Sequence, residues 1–365
     1  MKILLYINCL CKGGAERVMV NLANHFCYKN EVFLVTSFPV LNGYKCEEKV
    51  KRINLFQKRK KGFLSRNFSS IRKLKKTIKT IRPDVAISFM AEPNFRLALA
   101  TRRNKNLVTI ISVRNDPNYE YHGFLFKLLA KILFKRVDRI VFQTDDAALF
   151  FSNQIKSKGL ILPNAVDSSF FREPYRGRRK DIVSVGRLCS QKNHMLLIKA
   201  FAEVKDYTDD NLIIYGEGPE RNELELFVQK NGLDNRVFLP GLINDVADKI
   251  YSAKLFVLSS NYEGSPNALM EAMALGVPCI STDCPCGGPH MLITDGINGF
   301  LVPTNNIESL SSTLSRVISV DLSDLSLASH QRMKDFLPER VFSQWEDMII
   351  SLLAERRKKH NVKDN

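Results

Sequence analysis

Two carboxylates, Glu263 and Glu271, bracket Gly264-Ser265-Pro266-Asn267-Ala268-Leu269-Met270. The segment follows an apolar run, Ala253 to Ser259, and reads as strand, sharp loop and helix. Ser265 is placed to cap that helix, and Pro266 suits its first turn, where a missing N–H costs nothing. A helix start with free N–H groups attracts anions. One carboxylate just before it and another two turns in suit a ligand that carries both phosphate and hydroxyls, as a nucleotide sugar does. The same residues also fit a surface loop with a Glu on each side.

Other stretches share this strand-loop-helix setting. Gly13-Gly14-Ala15-Glu16-Arg17 follows the first apolar run and opens a helix. Its glycines let backbone come close to a ligand, and the helix start offers N–H groups to a phosphate. It is not G-x-G-x-x-G, so a dinucleotide fingerprint is not supported. Gly186-Arg187-Leu188-Cys189-Ser190-Gln191-Lys192 follows another strand. Arg187 offers a planar fork and Lys192 a point charge, a pair suited to a diphosphate; the alternative is two surface cations. Tyr215-Gly216-Glu217-Gly218-Pro219-Glu220 builds a turn and a helix start, and is placed to shape a nucleotide pocket. Pro285-Cys286-Gly287-Gly288-Pro289 is turn-rich, and Asp295-Gly296-Ile297-Asn298-Gly299-Phe300 reads as a structural turn into a strand.

The elements that position these loops alternate along the chain. Strands are expected at Ile3–Ile7, Glu31–Thr36, Asp84–Phe89, Leu107–Val113, Asp138–Phe142 and Gly159–Leu162. Helical patterns lie at Ala15–Cys27, Phe68–Ile81, Asn94–Arg102, Phe124–Lys135 and Asp145–Asn153. After a Pro-, Gly- and Arg-rich break at Pro163–Lys180, the theme repeats. Strands follow at Asp181–Val185, Asn211–Tyr215, Arg236–Leu239, Lys254–Leu258, Val277–Ser281 and Gly299–Val302. Helices follow at His194–Val204, Glu220–Gln229, Val246–Ser252, Pro266–Leu275, Glu308–Val317 and Ser323–Lys334, with a last one from about Arg340 to Lys358. Val-, Ile- and Leu-rich strands separated by helices predict parallel sheets covered on both faces. Ligands of such sheets bind at the carboxyl ends of the strands.

The 365 residues exceed one ordinary core, and 45% apolar with 25% charged content is globular. Net charge is +16 and uneven. Residues 51–82 carry thirteen Lys or Arg and no Asp or Glu. A second segment, Phe124 to Arg136, is both apolar and cationic. Together they suit anionic lipid headgroups; the alternatives are a solvated helix face and a core helix with snorkelling lysines. No nucleic-acid motif accompanies the charge, so no nucleic acid is expected. No apolar run reaches the ~20 residues of a membrane span. The start reads as a buried strand rather than an export signal, so the eight cysteines are expected as free thiols in a reducing cytosol. Cys9/Cys11 and Cys284/Cys286 are C-x-C pairs without a His pair, so no metal is expected there.

In their order and spacing these motifs resemble the retaining enzymes of glycosyltransferase family 4, of the bacterial cell-surface polysaccharide type. The resemblance spans nearly the whole chain. It rests on Gly-Gly-Ala-Glu at 13–16, Pro163-Asn164-Ala165-Val166-Asp167, Gly186-Arg187 with Lys192, and Gly216-Glu217-Gly218-Pro219. Glu263, Glu271 and Asp295-Gly296-Ile297-Asn298-Gly299 complete it. It implies an α/β GT-B fold, two Rossmann-like domains facing across a cleft, with a last helix crossing back to the first. The domains are expected at 1–165 for the acceptor and 166–343 for the nucleotide sugar, followed by the helix and tail at 344–365.

The resemblance also implies roles. Arg187 and Lys192 would bind the donor diphosphate, and Glu271 the ribose hydroxyls. Glu263 would face the transferred sugar, and Ser265, Pro266 and Asn267 would belong to the same donor site. Gly13 and Gly14 would approach the donor phosphate or sugar. Many members carry a His after the strand matching Leu107–Val113, and here Arg114 stands about where it would be. Arg114 is then either a structural cation paired with Asp116 or a contact to acceptor or donor sugar.

The expected reaction moves a sugar from a nucleoside diphosphate, UDP by default, to a hydroxyl with retention of configuration. A hexose or N-acetylhexosamine is the expected sugar. Arg187, Lys192 and the helix-start N–H groups would stabilise the departing diphosphate without a metal or other cofactor, and no D-x-D is present to hold one. The cationic first domain suits a lipid-linked glycan acceptor. That places the protein in the cytoplasm, peripheral on the inner face of the membrane. Two other readings stay open: another GT-B enzyme such as a sugar-nucleotide epimerase, and a basic membrane- or nucleic-acid-binding module without catalysis.

Overall fold

The computed structural model describes residues 1–11, 13–40, 43–58, 62–177 and 179–361. Two compact units emerge, one of Met1–Asn164 with Glu339–Asn365 and one of Ala165–Pro338.

The first unit holds seven strands: β1 (Lys2–Ile7), β2 (Glu31–Thr36), β3 (Lys51–Asn54), β4 (Val85–Phe89), β5 (Val108–Ser112), β6 (Arg139–Phe142) and β7 (Gly159–Ile161). They pair in parallel in the order β3-β2-β1-β4-β5-β6-β7. Every residue of β4 and β5 is buried, as strands covered on both faces require. The helices are α1 (Gly14–Phe26), α2 (Phe63–Ile81), α3 (Ala91–Thr101), α4 (Pro117–Glu120), α5 (Phe124–Leu133), α6 (Asp145–Leu149) and α7 (Asn153–Lys156).

Two expectations need correction here. The edge strand β3 was not expected, because Lys51-Arg52-Ile53-Asn54 holds one apolar residue and shows no alternation. It forms because β2 offers an open ladder, and Lys51 Nζ bonds Glu31 Oε1 at 2.6 Å across it. Cys9 and Cys11 are bonded to each other rather than free. The loop leaving β1 turns tightly enough to bring their Cα atoms to 5.6 Å, a spacing a disulfide accepts. Cys27, Cys46, Cys189, Cys279 and Cys284 are free thiols.

The second unit has β8 (Lys180–Val185), β9 (Leu212–Tyr215), β10 (Val237–Gly241), β11 (Ala253–Leu258), β12 (Cys279–Thr282) and β13 (Phe300–Val302). Their order is β10-β9-β8-β11-β12-β13, again all parallel. The helices are α8 (His194–Val204), α9 (Arg221–Lys230), α10 (Val246–Tyr251), α11 (Asn267–Ala274), α12 (Gly288–Leu292), α13 (Ile307–Val317) and α14 (Ser323–Met333). One apolar cluster packs α8 and α13 on the sheet, and another packs α11 against it.

The last helix, α15 (Pro338–Asn361), belongs to the first unit from Glu339 onward. Its Trp345 is 2% exposed, with its ring 6.0 Å from that of Phe89 at the end of β4. Glu346 lies 3.0 Å from His25 Nε2 in the last turn of α1, and Arg356 bonds Asp138 and the Lys105 carbonyl. A buried aromatic of this size dominates its local packing. Trp345→Ala is expected to cost about 3–5 kcal/mol, read as a lowered urea midpoint.

Candidate functional site

In the second sheet the strand order runs outward in both directions from the neighbours β8 and β11. At such a switch point the loops leaving two adjacent strands part, and a crevice opens at their carboxyl ends. The loop after β8 carries Arg187 and Lys192, and the loop after β11 carries Glu263.

Side-chain and backbone bonds join these two loops directly. Lys192 Nζ donates to Glu263 Oε1 at 2.5 Å, and Ser260 Oγ donates to the same oxygen at 2.7 Å. Around this pair, Ser259 Oγ donates to the Lys192 carbonyl at 3.0 Å and the Asn261 N–H to the Gln191 carbonyl at 2.8 Å. Asn261 Nδ2 reaches the Ser190 carbonyl, and Gln191 Nε2 the Tyr262 carbonyl. Asn193, in the left-handed region, caps α8 by accepting from Leu196 N–H and donates to Asn261 Oδ1. The Lys192 and Glu263 side chains are 19% and 8% exposed. A charge-assisted bond so enclosed is strong, and breaking it strands a charge.

Two glycine-rich turns lie against these loops. Gly216 has φ +151°, and a Cβ there would run into the Gly186 carbonyl oxygen; one at Gly218 would meet that of Leu188. The loop after β9 thus lies flat on the loop after β8, tied by Leu188 N–H to the Glu217 carbonyl at 3.0 Å. Gly288 likewise leaves room for the Gly264 carbonyl, and the Glu263 N–H donates to the Pro285 carbonyl at 2.9 Å. The Pro285–Pro289 turn is therefore the floor of the Glu263 loop. Cys284 beside it is buried; burial, with Glu263 adding, pushes its thiol up to about 12, so it stays neutral.

The helix after Glu263 begins one residue later than expected. The cap is Pro266, not Ser265, whose hydroxyl lies 3.1 Å from Met270 Sδ. Proline takes the capping position because the first helical bond, Met270 N–H to the Pro266 carbonyl, needs only its oxygen. Asn267 opens α11, and Glu271 lies buried in its second turn. Arg187 is exposed and has no ion-pair partner among the described residues. The loop after β8, the loop after β11 and α11 thus gather Arg187, Lys192, Glu263, Ser265, Pro266, Asn267 and Glu271 at one sheet edge. Among the described residues no three His, Cys, Asp or Glu side chains come together to hold a metal ion.

Comparison with known proteins matches this architecture along its length. The sequence profile for glycosyl transferases group 1 matches residues 166–334, and that for Glycosyltransferase Family 4 matches residues 12–170. The chain belongs to the family 4 glycosyltransferases. The enzyme is 28% identical over 369 residues to a Campylobacter jejuni α-1,4-N-acetyl-D-galactosaminyltransferase, covering 97% of this chain and 99% of the relative. That relative is named for a GalNAc-containing diphospho-undecaprenol acceptor. Its fold is GT-B, as in sucrose-phosphate synthase of Thermosynechococcus elongatus, at TM-score 0.84 and 17% identity over 97% and 99% of the two chains. Anabaena HepE, solved with UDP, aligns at TM-score 0.80 and 16% identity over 96% of this chain and all of that one.

The glycosyltransferase's first unit carries the remaining expected residues. Gly13 caps α1 and Gly14 is its first residue. Arg114 follows β5, 8% exposed, and does not pair with Asp116. Asp116 is occupied as the cap of α4, accepting from Asn118 N–H at 2.8 Å. Arg114 instead donates to Asn164 Oδ1 at 2.7 Å and lies 3.7 Å over the Phe89 ring. Burial lowers its guanidinium to about 9, with Glu120 opposing the shift.

Some contributors escaped the sequence reading. Ser260, Asn261, Gln191 and Asn193 hold the site together, and the polar run Ser259-Ser260-Asn261 straight after an apolar strand was the available signal. His194, at the start of α8, is buried with Nδ1 unpartnered among the described residues; burial, with Lys192 adding, brings its imidazole down to about 3.

Lys192→Ala is expected to lower stability by about 2–3 kcal/mol, because it leaves the buried Glu263 side chain with only Ser260 facing it. Adding Glu263→Gln should restore more than half, measured by urea unfolding of the double-mutant cycle. Burial pushes Glu120 up to about 8 against 4.5 in an unfolded chain. The folded state then binds more protons between those values, so stability falls as pH rises from about 5 to 8. Glu120→Gln should flatten that slope in urea midpoints taken at both ends.

Proposed function

We propose that this glycosyltransferase moves a sugar from a nucleoside-diphosphate donor to a hydroxyl of a lipid-linked glycan, with retention of configuration. The observation that carries the donor half is the Lys192–Glu263 junction at the β8/β11 switch point, with Arg187 exposed beside it and the α11 start opening next to it. The two cations and the N–H groups at the start of α11 suit a diphosphate whose leaving oxygen gains negative charge as the bond to the sugar breaks. In this reading they do so without a metal. Glu263, held from one side by Lys192 and Ser260, faces the sugar, and Glu271 takes ribose hydroxyls. Gly14 offers an N–H group for a phosphate in the first unit, while the Gly13 N–H donates to the Cys11 carbonyl at 2.8 Å.

UDP is the proposed nucleotide, supported by its presence in a structure of the same fold. A diphospho-lipid glycan is the proposed acceptor, supported by the name of the Campylobacter relative. Retention follows from same-face attack, in which the leaving phosphate oxygen takes the acceptor proton. Arg114 then orders the edge of the first sheet by packing rather than by touching sugar.

The proposed location is the inner face of the cytoplasmic membrane, a reading supported by the cationic surface of the first unit. Arg72, Lys75, Lys76 and Lys79 lie exposed on α2, whose Leu74 and Ile78 are buried. Lys58 is exposed, and Lys73 bonds the Leu55 carbonyl; Arg59, Lys60 and Lys61 lie outside the described residues. No described helix is long and apolar enough to cross a membrane.

The test is incubation of the pure enzyme with a panel of nucleotide sugars, following nucleoside diphosphate release. One UDP-sugar should be turned over, with anomeric configuration kept in the product. Arg187→Ala and Lys192→Ala should each lower turnover about 100- to 1000-fold. Turnover at the wild-type rate in either variant, or conversion of donor into its epimer without acceptor, would overturn the reading.

A further inference from the structure

The segment Phe124–Arg136 left open whether it is a core helix or a surface one, and the structure separates its two faces. The inner face of α5 is fully served: Ala130 and Leu133 are buried, and Phe126 meets the Phe95 ring edge-on at 5.7 Å. Phe134, just after the helix, stacks on Phe95 at 5.5 Å. The outer face is apolar as well. Phe124 is 83% exposed, Leu125 59%, Ile132 45% and Leu128 39%. At 3.6 residues per turn these four fall within an arc of about 100°, along a helix about 15 Å long. Lys127 and Lys131 are exposed on its flank, and Arg136 is exposed just beyond its end. From His122 to Val137 the sequence has no carboxylate.

Four large apolar side chains held in water on one face are a cost that packing inside this unit did not remove. What covers them must accept apolar side chains and cations at once. A second copy of a chain with net charge +16 meets these lysines with like charge. An anionic bilayer offers acyl chains at the depth of the apolar face and phosphates at the level of the ammonium groups. We infer that α5 is the element that enters the lipid, lying in the headgroup plane with Phe124, Leu125, Leu128 and Ile132 in the acyl boundary. This rests on the peripheral-membrane reading above and deepens it. The cations of α2 attract the enzyme to the surface, and α5 holds it there. The two contributions differ in physics: the first is screened by salt, and the second is not.

The experiment uses the full chain with sedimenting vesicles of phosphatidylcholine, with and without phosphatidylglycerol. The wild type should sediment with the anionic vesicles. Phe124→Ser, Leu125→Ser, Leu128→Ser and Ile132→Ser combined should weaken this at least about tenfold while leaving nucleoside diphosphate release from soluble donor unchanged. These side chains face water, and an unchanged urea midpoint checks the fold. In a second variant, Leu128→Trp, emission should shift blue and become quenched by brominated lipid, which a purely electrostatic contact does not produce. Equal sedimentation of the quadruple variant would overturn the role of α5 and leave the basic-surface reading standing. A wild-type dimer that the quadruple variant converts to monomer, with vesicle binding unaltered, would assign the face to a second copy. A wild type that binds no vesicle would overturn both readings.

Discussion

The ion pair between Lys192 and Glu263 joins the loops that leave β8 and β11, two strands that are neighbours in space but more than sixty residues apart in the chain. Either partner alone in that crevice would be a largely buried charge without its counter-ion. Together they are neutral, fixed and half-enclosed. Side-chain bonds from Ser259, Ser260, Asn261, Gln191 and Asn193 tie the same junction, so the geometry does not depend on one contact. The glycines at 216, 218 and 288 let two further turns lie against the backbone of these loops.

The edge of the first sheet is built on a different plan. Its cations are sunk into the protein and used internally. Arg96 bonds Glu92 at 2.5 Å and Asn67 at 2.7 Å, and also reaches Asn8. Arg114 lies over Phe89 with Asn164 as its acceptor. Other cations stay exposed, among them Arg72, Lys75, Lys76 and Lys79 on α2 and Lys127, Lys131 and Arg136 on and just after α5. One unit thus gathers charge at the carboxyl ends of two central strands, the candidate diphosphate site, and the other spreads cations over its surface. That division matches a transferase with a small polar donor and a large acceptor held in a lipid film.

α15 shows how a helix far along the chain completes an early core. Trp345 fills space beside Phe89 and Arg114, while Glu346 and Arg356 fix the helix at His25 and Asp138. The first unit is therefore finished only when the last helix has been made, which couples its stability to residues three hundred positions away.

Much of this was legible in residue types alone. Val-, Ile- and Leu-rich runs buried on both faces announced β1, β2, β4, β5, β8 and β11, and helical spacing announced α8, α11 and α13. Glycine pairs and lone charges just after strands marked the candidate site end of each sheet, because in a parallel sheet the carboxyl ends all point one way. Other features depended on neighbours distant in sequence. The strand β3 exists because β2 has a free edge, and its own residues carry no pattern. Ser265 was a good cap by type, yet backbone direction gave the place to Pro266. Arg114 and Asp116 looked like a pair, but Asp116 was taken by a helix start and Arg114 by an aromatic ring. Whether Phe124 to Ile132 faced core or water was undecidable from an apolar helix with lysines; it was settled when Phe95 and Phe134 filled the inner side. Sequence fixes what each segment prefers locally, and tertiary structure decides which partners remain for a side chain once its neighbours have chosen theirs.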